Sequence, residues 1–523
     1  MRNLFKVGLV AGALLSGTVS ASGSAVSPDE AALLYQEQCA ACHHAERLGG
    51  IGPALFPQNL KRLRPKQAIE VITNGRAASQ MEGFGERLSS EQISAITDFI
   101  YSKPAQMPLW SDANIKASQI VTHPFGSLPD EMQFEADPMN LFIVVEIGDH
   151  HATLLNGDTF EPITRFKTRF ALHGGPKFSP DGRYVYFASR DGWVSKYDIY
   201  NLKVTAEIRV GLNTRNIAVS SDGKYVLAGN YLPHSMVVLD ARDLTPVQRV
   251  DVQNDEGKSS RISAVYNAPA RSSFIVALKD IPEIWELSYA DVNDETETDA
   301  AETASELAAL PVRRIALTDY LDDFLFDPNY DLVMGTTRPK QEGRQRSAQG
   351  QVVSLNTGER KATLDLAGMP HLGSGITWSF SGHRVLATPN LSTSEVSIID
   401  MDNWQTIKNI PTAGPGFFMR SHKNSPYAWV DVFFGPEKEA VHIIDKQTLE
   451  IVKTLRPAPG KVAAHVEFTK DGRYALLSIW DMDGAVIVYD AQTLEEVKRI
   501  PMVKPSGKYN VWNKTHYEEG TSH

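Results

Sequence analysis

Cysteine is almost absent from this chain: Cys39 and Cys42 are the only two among 523 residues, so no disulfide framework holds it together. Long apolar runs are missing too. Residues 7–15 form the apolar core of an N-terminal leader, and no later stretch reaches the roughly 18 apolar residues of a membrane helix. Positive charge is in deficit, and the net charge of -11 argues against nucleic acid as a partner. What is present is enough apolar residue (42%) to bury more than one core, which predicts two or three domains unless one is large and all-β.

The leader combines Arg2 and Lys6, the apolar core and the small-residue site Val19-Ser20-Ala21, the pattern of a signal peptide over residues 1–21. The mature protein is expected in the periplasm, without a membrane span. Close behind comes Cys39-Ala40-Ala41-Cys42-His43. Two thiols that bond the vinyl groups of a haem, followed at once by an imidazole for its iron, are the chemistry this spacing serves. A disulfide is the other use of such a pair, but it has no need of the histidine. One covalent haem c is therefore expected.

Around that motif the sequence predicts a small helical domain over residues 27–103. Ser27-Pro28-Asp29-Glu30 reads as a helix start, residues 65–73 as a short amphipathic helix, and 88–101 as a closing helix with Ile93, Ile96 and Ile100 on one face. The order resembles a class I cytochrome c domain, in which Gly52-Pro53-Ala54-Leu55 packs on the proximal His43. Met81, in the loop 75–85, is then the expected second axial ligand, because a soft thioether opposite histidine raises the haem potential. Met107 is its rival, beyond the closing helix.

Residues 104–135 carry four prolines and little periodicity, and read as a linker wrapped over the surface. From 136 to 523 one strand-like pattern recurs eight times, usually ending in Asp or Asn: 153–156, 195–198, 236–240, 284–287, 352–356, 396–400, 441–445 and 486–490. Spacing of about 40–45 residues predicts an all-β, eight-bladed propeller. Asp-Gly hairpin turns recur at Asp181-Gly182, Asp222-Gly223 and Asp471-Gly472. One interval, from Leu287 to Leu355, is too long and holds the acidic tract 291–306, which reads as a loop with no core of its own.

Several segments, among them Phe170-Ala171-Leu172-His173, Ala188-Ser189-Arg190-Asp191, Thr214-Arg215-Asn216, residues 369–375 and 505–511, resemble the cytochrome cd1 family over nearly all of the mature chain. In that family the propeller holds a second, noncovalent tetrapyrrole, haem d1. The resemblance implies that His173 is the proximal ligand of the d1 iron. It also implies that Arg190, Arg215, Arg261 and Lys279 meet the carboxylates of haem d1, with surface ion pairs as the alternative for the last two.

Nitrite reductases of the family use two distal histidines as proton donors. His371 matches one, but the other falls in Phe324-Leu325-Phe326-Asp327, where a phenyl group stands for the imidazole. The reductases also carry an N-terminal arm with a tyrosine, while here only a few residues separate the leader from the haem helix. Both departures turn the resemblance toward the reductase-like members that assemble haem d1. Those oxidise a propionate side chain of dihydro-haem d1 to an acrylate and pass the electrons to haem c. His371 and His465 are the candidate bases, although a histidine bonded within the propeller core is the plain alternative for His465. The implied partners are the tetrapyrrole substrate, a periplasmic electron acceptor and the apo nitrite reductase that receives the product. A nitrite reductase with an altered pocket and a noncatalytic d1 carrier are the competing readings.

Overall fold

The computed structural model describes residues 26–521 apart from 51, 62, 77–80, 107, 173–174, 291–306, 337–339, 342–343 and 346–349. The expected leader, Met107, His173 and the acidic tract lie outside the described residues. Among those described, no helix is long and apolar enough to cross a membrane.

The N-terminal helices have local causes. Ser27 caps Pro28–Gln38 by accepting from the amide of Glu30 at 3.2 Å, with Pro28 at the first helical position and Asp29 and Glu30 in the first turn. Ser89 and Gln92 close a capping box on Ser90–Tyr101. That helix buries Ile93, Ile96 and Ile100 against Tyr35, Leu60, Ile72 and Phe84, so its apolar spacing becomes one small core.

Eight sheets of four or five strands follow, the blades of a propeller. The strands expected from the eight sequence repeats are, in every case, the third strand of a blade. Blade 1 is closed by the chain's last strand: Pro505–Asn510 pairs antiparallel with Leu141–Glu146, Tyr509 opposite Ile143. Ring closure therefore joins residues more than 350 apart in sequence. Apolar clusters lie between neighbouring blades, as where Tyr225 and Leu227 of blade 3 meet Phe274 and Val276 of blade 4. The Asp-Gly turns join the first and second strands of blades 2, 3 and 8. In blade 2 Gly182 takes φ +75°, open to glycine without cost, while Asp181 accepts from the amide of Arg183 at 3.1 Å.

The segment between the domains is more structured than its composition suggests. Residues Asp112–Ala117 form a helix that buries Ile115, and Ile120–Val121 adds a fifth strand to the outer edge of blade 2. The helical domain sits on blades 2 and 3, where Ala54 and Phe56 share an apolar cluster with Leu212 and Leu232. At the opposite mouth of the ring the C-terminal residues fold over the strand ends. Gly520 donates to Thr377 O at 3.0 Å and accepts from the amide of Ser421 at 2.9 Å.

Candidate functional site

Cys39 and Cys42 are unpaired and half-buried on the short helical turn that follows Gln38. His43 is buried, and its Nδ1 lies 2.8 Å from Pro53 O. That bond occupies Nδ1 as a donor and leaves the Nε2 lone pair for a metal, the usual orientation of a ligating imidazole. The loop passes tightly over the ring: a Cβ at Gly52 would stand 2.4 Å from His43 Cε1. Met81 packs on the same apolar cluster as Cys39 and Ala40. Two thiols, one oriented imidazole and a thioether around an apolar cradle fit a covalent haem with axial His43 and Met81.

Met81 leads into the propeller. Arg76, whose amide donates to Met81 O at 2.9 Å, holds its guanidinium 5.4 Å from the ring of Phe170, and that ring packs on His150 at 4.9 Å. Phe170 stands three residues before His173. The loops expected to carry the two iron ligands thus lie against each other.

The ring mouth on this side is built from the beginnings of the innermost strands. Arg215, in Asn213–Val219, donates from Nε to Ser263 O at 3.1 Å. The backbone of Arg190 is tied to Ala171 O at 3.0 Å, which draws its loop toward the His173 segment. Arg261 and Lys279 both bind carboxylates of their own chain, Asp280 at 2.6 Å and Asp322, and both approach the ring of Tyr231, at 5.6 and 5.7 Å.

The two histidines proposed as bases come from blades 6 and 8. His371 precedes a turn of 3-10 helix, Leu372–Ser374, and its Nδ1 lies 2.8 Å from Phe417 O. Its ring packs on Phe417 at 4.4 Å, Phe417 on Phe418 at 4.5 Å, and Phe418 on His465 at 4.8 Å. A small cavity lined by Ser374, Phe418, Met419, Arg420, His465 and Val466 joins the His371 turn to His465.

His465 sits at a bulge between Ala464 and Val466 with φ +57°, a conformation that costs a β-region residue about 1 kcal/mol or more. Its amide donates to Asp431 Oδ2 at 3.2 Å, and its carbonyl accepts from Lys508 Nζ. Among the described residues its Nδ1 atom has no hydrogen-bond partner, although the residue is only 4% exposed. Burial, and then the charges of Lys508, Arg420 and Lys514, hold the imidazole well below its usual pKa.

Charged residues not proposed from the sequence as site residues cluster around Arg420. Burial brings the Lys177 ammonium down to about 8 and Lys508 down to about 7, and pushes the Asp431 carboxyl up to about 6. Arg420 lies 3.7 Å from Glu467, and Asp323 accepts from Tyr266 Oη at 2.9 Å. Lys508 lay within the family-like segment 505–511, and Lys177 was signalled only by a lysine opening the short strand Lys177–Phe178.

Phe326 is not at this mouth. It lies in the apolar cluster with Phe324, Val333 and Leu355, its ring 4.9 Å from Tyr330. The residue of that strand that reaches the His371 turn is Asp323, whose carboxylate would meet a Cβ at Gly373 at 2.6 Å.

Comparison with known proteins follows the two domains. Residues 136–514 match the family described as "Cytochrome D1 heme domain", and residues 26–100 match "Cytochrome C oxidase, cbb3-type, subunit III". The chain is 56% identical to a dihydro-heme d1 dehydrogenase of Pseudomonas aeruginosa, over 99% of each chain. It is 24% identical to a nitrite reductase of Stutzerimonas stutzeri over 97% of each. A solved structure titled "Dihydro-heme d1 dehydrogenase NirN in complex with DHE" superimposes with a TM-score of 0.87, at 56% identity, over 94% of this chain and 100% of that one.

Proposed function

The chain belongs to the cytochrome d1 haem domain family, and from that premise we propose that it is a dihydro-haem d1 dehydrogenase, an oxidoreductase that desaturates a propionate side chain of the tetrapyrrole to an acrylate. The observation that carries this reading is 56% identity along 99% of both chains to a dehydrogenase of that name, in a chain whose haem c cradle packs directly on the propeller mouth. The 24% relation to a nitrite reductase supports a shared fold and a shared tetrapyrrole.

The domain assignment is residues 27–103 for haem c, 104–135 for the connecting segment and 136–523 for the propeller, behind a signal peptide at 1–21 that directs the protein to the periplasm. Cys39 and Cys42 would attach haem c, His43 Nε2 and Met81 Sδ would hold its iron, and the bound group would supply a one-electron acceptor. Desaturation removes two electrons and two protons from adjacent carbons, so each turnover needs two acceptances with an external periplasmic acceptor between them.

His173 is assigned to the substrate iron, and Arg190 and Arg215 to its carboxylates, with Arg261 and Lys279 as further contacts reached through their present ion pairs. His465, which lines the small cavity and whose buried Nδ1 has no hydrogen-bond partner among the described residues, is assigned as the proton acceptor, and His371 as its partner across the Phe417–Phe418 pair. A neutral imidazole among cations is a weak base. Carboxylates arriving with the substrate neutralise Arg420 and its neighbours, and that raises the affinity of His465 for a proton at the moment of reaction. Asp431 and Lys508 hold the residue in its bulged conformation throughout. The product then passes to an apo nitrite reductase.

The test is anaerobic mixing of the oxidised protein with dihydro-haem d1, followed by absorbance and mass spectrometry. Loss of two hydrogens from the tetrapyrrole together with reduction of haem c is the expected result. Binding without a mass change overturns the dehydrogenase reading, and nitrite turnover with a reduced donor would identify a reductase in its place.

A further inference from the structure

Arg209 ends the outermost regular strand of blade 2, Lys203–Arg209, and is only 4% exposed, although none of the chemistry above calls on it. Its guanidinium is spent on backbone carbonyls. Nε donates to Asp191 O at 2.8 Å, Nη2 to Leu48 O at 2.7 Å and Nη1 to Gly49 O at 3.4 Å, while Trp110 covers it at 4.7 Å from the ring centroid. Among the described residues it makes no ion pair. The carboxylate acting on it is that of Asp191, which is held by Ser189 Oγ.

Leu48 and Gly49 form the crest of the loop that folds over His43. The amide of Gly49 donates to His43 O and that of Gly52 to Cys42 O, both at 2.9 Å, and Pro53 O takes the bond from His43 Nδ1. Gly49 adopts φ +81°, and a Cβ there would stand 2.6 Å from Ala54 N and 3.0 Å from Arg209 Nη2. The loop therefore has no slack at the point where the propeller grips it. A buried cation is costly to hold, and here three carbonyl oxygens bind it directly while the nearby Asp191 carboxylate opposes its charge without an ion pair to it.

We propose that Arg209 is a positioning residue through which the propeller sets the redox potential of haem c. It clamps the loop that orients His43, and its fixed positive charge at the crest of that loop would favour the reduced, less positive iron. On this basis the acceptor is at full strength only while the two domains are docked. The inference rests on the reading of Cys39, Cys42 and His43 as the haem c site.

The experiment compares the full-length haem-loaded protein with Arg209→Gln, Arg209→Lys and Asp191→Asn. Each is measured for haem content by pyridine haemochrome, for folding by thermal unfolding, and for midpoint potential by optical redox titration. Gln is expected to lower the potential and to slow haem c reduction by dihydro-haem d1 at least tenfold. Lys is expected to restore most of the potential. Asn at 191, which leaves the carbonyl in place and removes the opposing charge, is expected to raise it, and keeps the proposal testable if the Gln variant fails to fold. A wild-type potential in a folded, fully loaded Gln variant, or in the Asn variant, overturns the proposal. Wild-type protein without a covalent haem would overturn the haem c reading itself.

Discussion

The amide of His465 donates to Asp431 Oδ2 at 3.2 Å while its carbonyl accepts from Lys508, so residues of three successive blades meet on one residue. Asp431 Oδ1 also takes the amides of Phe417 and Phe418, at 2.8 and 3.1 Å. One buried carboxylate thus fixes both the aromatic pair and the imidazole it separates from His371.

Replacing His465 by alanine is expected to abolish desaturation by a factor on the order of a hundred or more while substrate binding survives. Spectral titration with dihydro-haem d1 checks the binding, and stopped-flow reduction of haem c checks the rate. Equal loss of both would reassign His465 to binding.

Asp431 has a carboxyl pushed up to about 6 by burial. The folded state therefore holds a proton that the unfolded state releases, and stability from this group is complete below about pH 4 and lost as the pH rises to about 6. The expected slope across that window is about 1.4 kcal/mol per pH unit. Asp431→Asn should lack this slope, so in denaturant titrations the difference between variant and wild type should carry it.

Lys508 carries the opposite dependence. Its ammonium is brought down to about 7, so the unfolded chain binds the extra proton above that pH. Stability from this group is full above the ordinary lysine pKa and is lost as the pH falls to about 7. Lys508→Met should flatten the rise between pH 7 and 9.5, and its unpaired His465 carbonyl should cost about 1–3 kcal/mol at the alkaline end.

Gly52→Ala tests the haem c cradle directly. Its Cβ would stand 2.4 Å from the His43 ring, so the imidazole must leave its bond to Pro53. Covalent attachment through Cys39 and Cys42 is expected to persist, with loss of the low-spin spectrum and a changed midpoint potential. An unaltered spectrum would show that the loop can yield.

Legibility in the sequence followed the side chains that face apolar surroundings. The third strands of all eight blades could be read because their alternate residues are apolar and a turn residue closes most of them. The innermost strands were harder: Lys177–Phe178 and Met419–Arg420 are two residues long and carry the very cations that line the channel. Ile115 is a single buried anchor in a six-residue helix, too little to set up a period. Cys39, Cys42 and His43 were plain because covalent chemistry demands adjacency. Asp431, Lys508 and Arg209 act through backbone groups that belong to distant residues, and no local spacing records such a partner.

The closing strand has a consequence for how the protein comes to exist. Lys508 and Tyr509 lie on Pro505–Asn510, which follows every other described strand in chain order. Until it pairs with Leu141–Glu146 the ring is an open arc, and His465 lacks one of its two holds. Completion of the ring and assembly of the proposed reaction centre are one event, so a chain clipped before Pro505 should yield blades without a workplace.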